Sequence, residues 1–128
     1  MMTDLLKKGR EYSNDEVAAW CYSHHMRDIT RLIVKYPPKH PFTSDGASCF
    51  PDVVDGVDIY PAALAHDIRY WCGLPGDQQA RFLADLILAR DVVQECGGSV
   101  ELGTKIFLGV RVGGKEWLPT TWRWGFGR

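Results

Sequence analysis

The chain contains no run of about 18 apolar residues, the length that would carry a helix across a bilayer. Its first residues, MMTDLLKKGREYSNDE, have neither the apolar stretch nor the cleavage site of an export signal. The expectation is therefore a protein made in a cytoplasm, with no transmembrane segment. The four cysteines, at positions 21, 49, 72 and 96, form no CxxC pair, which excludes the usual zinc spacing. In a cytoplasm they should be reduced and buried, while disulfides stay open for a chain exported by another route. There is no internal repeat and no low-complexity segment. A formal net charge of −1 leaves no general field for nucleic acid or an anionic membrane, and no nucleic-acid partner is expected.

What is present suits one domain, residues 1–128, with a buried core: hydrophobic residues are 45% and charged residues 24%, an ordinary globular balance. Ser13-Asn14-Asp15-Glu16 reads as a capping box, with a helix over roughly 14–25. Ile29–Tyr36 is β-branched and apolar and reads as a strand ended by Pro37-Pro38, which completes an N-terminal helix and strand over 1–36. Residues 37–60, rich in Pro, Gly, Ser and Asp, read as a long loop of the kind that carries function. Pro61 starts a helix, PAALAHDIRYWC, stopped by Gly73 and Pro75. Asp77 caps a second helix over about 78–95, ended by Gly97-Gly98. Glu101–Val112 reads as strand or mixed structure. The C-terminal tail, 115–128, carries Trp117, Trp122 and Trp124, which are expected to pack back on the domain. From residue 101 onward Lys105, Arg111, Lys115, Arg123 and Arg128 outnumber Glu101 and Glu116, a local +3 that fits a solvated edge.

Chemistry is concentrated on the two central helices. His66 and Tyr70, four apart, share one helix face, and Asp67 points about 100° round from His66. On the second helix Phe82, Leu86, Ala89 and Val93 form an apolar stripe with Asp85 in or beside it. A carboxylate there needs a partner, because burying it alone costs several kcal/mol. The short connection makes the helices antiparallel neighbours, so His66 is the natural partner, either as a catalytic dyad or as a satisfied buried pair. Upstream, Phe42-Thr43-Ser44-Asp45-Gly46-Ala47-Ser48 is a polar turn able to offer carbonyls to a hard cation or N–H groups to an oxyanion. Asp52, Asp55 and Asp58 read as solvated loop carboxylates, and His24, His25 and His40 carry no signal.

The helix His66-Asp67-Ile68-Arg69-Tyr70, followed by a second helix with Asp85, resembles the core of phospholipase A2. The resemblance implies an α+β fold with two central antiparallel helices, a small β-sheet and the long loop on their N-terminal side. It implies His66 as general base, Asp85 orienting it, and Tyr70 in support. A Ca2+ ion would be held by Asp67 and by carbonyls around Asp45 and Gly46. The substrate would be a phospholipid or a small ester. The chain departs from that pattern in lacking a glycine-rich calcium loop and in placing Ala63, Leu64 and Ala65 where the family has cysteines.

A second resemblance spans Phe42 to Gly114. FTxDGAS, AxxHDxxY, Ala84-Asp85 and the late GVRxGG, in that order, are similar to a family of small bacteriophage and prophage proteins of no assigned activity. It implies synthesis in a host bacterial cytoplasm and incorporation into a virion among phage proteins. Two functions stand side by side: a phage-encoded, metal-assisted ester hydrolase, and a non-catalytic virion component or host-factor binder that keeps the HDxxY helix as a scaffold.

Overall fold

The structure, a computed structural model, describes residues 4–44, 51–115, 117 and 123–128. Ser13 accepts a hydrogen bond from the Glu16 amide, and the Glu16 carboxylate reaches back to the Ser13 amide, so the predicted capping box is formed. It follows β1 (Glu11–Tyr12) and starts α1 (Asn14–Ser23). Next comes α2 (Arg27–Lys35), which overturns the strand expected over Ile29–Tyr36. Ile29 and Ile33, one helical turn apart, are its buried residues, and that spacing outweighs the β-branched composition.

The expected long loop contains three short strands. β2 (Phe42–Thr43) pairs antiparallel with β1, Tyr12 opposite Phe42. β3 (Val53–Val54) and β4 (Val57–Asp58) form a hairpin across Asp55-Gly56, whose φ values are 50° and 77°. An Asp-Gly pair accepts two successive positive φ angles, and its turn matches strand twist. Among the described residues the sheet content is thus two separate two-stranded ladders rather than one small sheet.

Three helices complete the chain: α3 (Tyr60–Cys72), α4 (Gln78–Gln94) and α5 (Val100–Gly113). α3 and α4 lie where they were expected, with Asp77 accepting from the Ala80 amide as cap. α5 replaces the strand or mixed structure expected over Glu101–Val112. Ser99 caps it through the Leu102 amide, and Leu102, Ile106 and Val110 bury one face. The result is a mixed α and β architecture dominated by helix. No helix among the described residues is long and apolar enough to cross a membrane.

α3 is the central element, with ten of its 13 residues buried, as expected for a helix covered on every side. Leu64, Ile68 and Trp71 join a core with Val17 and Cys21 of α1, Ile33 of α2, and Phe42. Ala62, at its start, joins a second core with Leu88 and Val92 of α4 and Ile106 and Val110 of α5. His66 meets Asp85 whereas Tyr70 meets Arg81, so α4 runs antiparallel to α3 as expected. Likewise Gly103 lies on the Ala89 carbonyl while Arg81 reaches Val110 and Arg111, so α5 runs back along α4.

Candidate active site

α4 does not bury the stripe read from its apolar residues. Phe82 and Leu86 are exposed, and the buried face is Arg81, Ala84, Asp85, Leu88, Asp91 and Val92. The true face is turned by about one residue because three charged side chains lie on it. They are stable there only because other groups compensate them. Asp85 is inside as expected, with no exposed surface.

Asp85 accepts three hydrogen bonds. His66 Nε2 lies 2.8 Å from Oδ1, the Tyr70 hydroxyl donates to the same oxygen at 2.7 Å, and Arg111 donates from α5 to Oδ2 at 2.7 Å. The predicted dyad and its supporting tyrosine are therefore brought together. Burial pushes the Asp85 carboxyl up, but His66, Tyr70 and Arg111 together outweigh it and hold the carboxyl below its ordinary value. An ionised Asp85 can only accept, so Nε2 carries the hydrogen of this bond and Nδ1 is the ring nitrogen left for other work. Nδ1 has no hydrogen-bond partner among the described residues. Burial, then the Asp85 charge, raises Tyr70 far above its ordinary value, so it remains a phenol and a donor.

Two arginines complete the network and were absent from the sequence reading as site residues. Buried Arg81 donates from Nε to the Tyr70 hydroxyl at 3.2 Å and from its terminal nitrogen to the Arg111 carbonyl at 2.6 Å. It thereby satisfies the open end of α5. Gly114 lets the Tyr70 ring close on that same end: a Cβ there would stand 2.5 Å from the ring. The late GVRxGG motif was visible in the sequence. Its Arg111 and Gly114 now have a role, to pack α5 on the HD helix.

Asp67 points elsewhere. It is buried, and the fully buried Ser44 donates to it through a long contact of 3.4 Å. This places Ser44, from the upstream turn, against α3. Asp45 and Gly46 lie outside the described residues. A calcium ion takes six to eight oxygens. Of the expected ligands only the Asp67 carboxylate lies among the described residues, and the Ser44 hydroxyl stands beside it. The described residues hold no cluster of three or more His, Cys, Asp or Glu suited to a metal. Alone they do not make a calcium cage, and the expected ligands at Asp45 and Gly46 are not among them.

The His66 ring keeps 5% of its side-chain surface, and Asp67 is nearly as enclosed. Of the tail tryptophans, Trp124 packs against Tyr70 edge-on, Trp117 is exposed, and Trp122 lies outside the described residues. Cys21 and Cys72 are buried free thiols, each pushed up to about 12 chiefly by burial, which disfavours the thiolate. Comparison of the chain with family models, with curated proteins and with solved structures gave no match.

Proposed function

We propose that the chain is a carboxylic ester hydrolase in which His66 acts as general base, the activity that the resemblance to phospholipase A2 implies. One observation carries the reading: Nε2 of His66 is tied to a buried, ionised Asp85 while Nδ1 is left without a partner. In this reading Nδ1 takes a proton from a water molecule, and the water oxygen attacks the ester carbonyl. Asp85 stabilises the imidazolium that forms, and Tyr70, fixed by Arg81, keeps the carboxylate in register. The proton then passes from Nδ1 to the departing alcohol oxygen. Ca2+ at Asp67, completed by Asp45 and Gly46, remains an expectation of the resemblance. The substrate would be a phospholipid or a short soluble ester.

A second reading has its own support. The near-complete enclosure of His66 and Asp67 favours a non-catalytic phage component, in the virion or on a host factor, with the network as a scaffold. His66→Asn separates the two. Fatty-acid release from phospholipid vesicles and short-chain esters is measured with and without calcium, alongside thermal melting. The hydrolase reading expects wild-type turnover and a loss of roughly 10²- to 10⁴-fold in the variant, with folding retained. Wild type inactive on all esters under all conditions, with the variant merely less stable, would overturn it in favour of the scaffold.

A further inference from the structure

A half-open cavity of about 270 Å³ lies between α2, α3 and α4 and contains none of the groups of the His66 network. Its walls are mainly apolar: Leu32 from α2, Leu74 after α3, Leu83 and Ile87 from α4, and Trp124 from the tail. Arg69 is the one cation in the lining. It sits beside Tyr70 in sequence but takes no part in the Asp85 network. Its guanidinium makes no hydrogen bond and no ion-pair contact among the described residues. Asp28 and Asp91 act on it only through the longer-range Coulomb field, and burial depresses its proton affinity. Asp77, also at the wall, already spends an oxygen capping α4.

A guanidinium at the wall of an apolar cavity, with no partner for its donors among the described residues, is open to a carboxylate, whose two oxygens match its fork. We propose that this cavity is a binding site for a small apolar carboxylic acid, its carboxylate on Arg69 and its hydrocarbon body against Leu32, Ile87 and Trp124. The volume lies just below the range of about 300–1,000 Å³ usual for ligand pockets, which restricts the ligand to a short chain or a single ring. Asp28, exposed in the same lining, is the carboxylate available to an α-ammonium group if the acid were an apolar amino acid. The proposal does not depend on the hydrolase reading, since none of that reading's residues line the cavity.

The test is a titration of the full chain followed by methyl and amide NMR shifts, with hexanoate, norleucine and hexanol as probes. Hexanoate is expected to give saturable shifts centred on Leu32, Leu74 and Ile87. Arg69→Gln should weaken it roughly tenfold or more, since a charged hydrogen-bonding partner is lost. Leu83→Trp, at a half-exposed position on the wall, should occupy the space and abolish the shifts without disturbing the core. Norleucine binding more tightly than hexanoate would support the site in its amino-acid form. Norleucine binding more weakly would support a simple acid. No saturable shift at tens of millimolar, or hexanol equal to hexanoate, overturns the proposal. So does an affinity unchanged by either substitution.

Discussion

Asp85 is fully enclosed yet charged, and its three donors come from two other helices. Removing it strands the Arg111 cation and leaves the His66 and Tyr70 hydrogens unmatched. Asp85→Ala is therefore expected to cost about 3–5 kcal/mol in urea unfolding, the usual penalty for breaking one side of a buried pair. A loss below 1 kcal/mol would mean that water replaces the carboxylate. The pH dependence has a definite sign. The folded carboxyl titrates below its unfolded value of 3.8, so the native state binds this proton less readily than the unfolded chain. Its stabilisation is whole above about pH 4 and is lost as pH falls through the lower folded value. The stability gap between wild type and Asp85→Asn should be level from neutrality to about pH 4 and narrow below it. A gap unchanged along the acid limb would contradict the assignment of an ionised Asp85.

α3, α4 and α5 meet through small residues as much as through apolar ones. Gly103 rests on the Ala89 carbonyl, and Gly114 rests on the Tyr70 ring. Gly114→Ala would place a methyl against a ring that Asp85 and Arg81 hold in position, so ring or helix end must shift. The expected cost is about 1–3 kcal/mol, as for other overpacked sites. It should come with a change in the His66 ring signals by NMR, and a stability change without that change would place the strain elsewhere. These contacts also explain which helices were legible. α1, α3 and α4 announce themselves through Ser13-Glu16, Pro61 and Asp77, local signals that the structure keeps. α5 was obscured because Gly103 and Gly109 lower helix propensity, although close packing on α4 requires the first of them. The surviving signal was Ser99 followed by Leu102, Ile106 and Val110 at period four. In α2 the run Ile-Thr-Arg-Leu-Ile-Val suggested a strand until the burial of Ile29 and Ile33 decided otherwise. The Asp55-Gly56 hairpin is legible in principle, as an Asp-Gly pair between valines, but the surrounding Pro, Gly, Ser and Asp point to a loop. For the site, the His66–Asp85–Tyr70 group followed from helical spacing and an uncompensated charge. Arg81 and Arg111 did not, because their partners are carbonyls and a carboxylate brought near by tertiary packing alone.

The two cores, one built on α1 and α2 and the other on α4 and α5, are joined through α3 and also by the last described residues. Trp124 donates to the Leu74 carbonyl at 2.8 Å, and the Gly125 and Gly127 amides donate to the Tyr70 and Trp71 carbonyls at 2.7 and 3.0 Å. These bonds satisfy carbonyls at the open end of α3. The Gly127 carbonyl in turn accepts from the Lys39 and His40 amides, so the tail ties α3 to the segment between α2 and β2. Gly73 allows the Trp124 ring to lie directly on the α3 terminus, where any side chain would collide with it. Trp124→Ala removes the ring that presses on Tyr70 and the donor to Leu74 in one step. It is expected to cost about 3–5 kcal/mol, in the range of large aromatic deletions from cores. Hydrogen exchange gives the sharper reading. If the tail is a clasp, the Lys39 and His40 amides should lose protection in Trp124→Ala more than the α5 amides do, although both are remote in sequence from position 124. Equal loss across the chain would mean that Trp124 supports the cores directly, without a separate fastening of the α2–β2 segment. Unchanged Lys39 and His40 exchange would mean that the Gly127 contacts hold without the tryptophan.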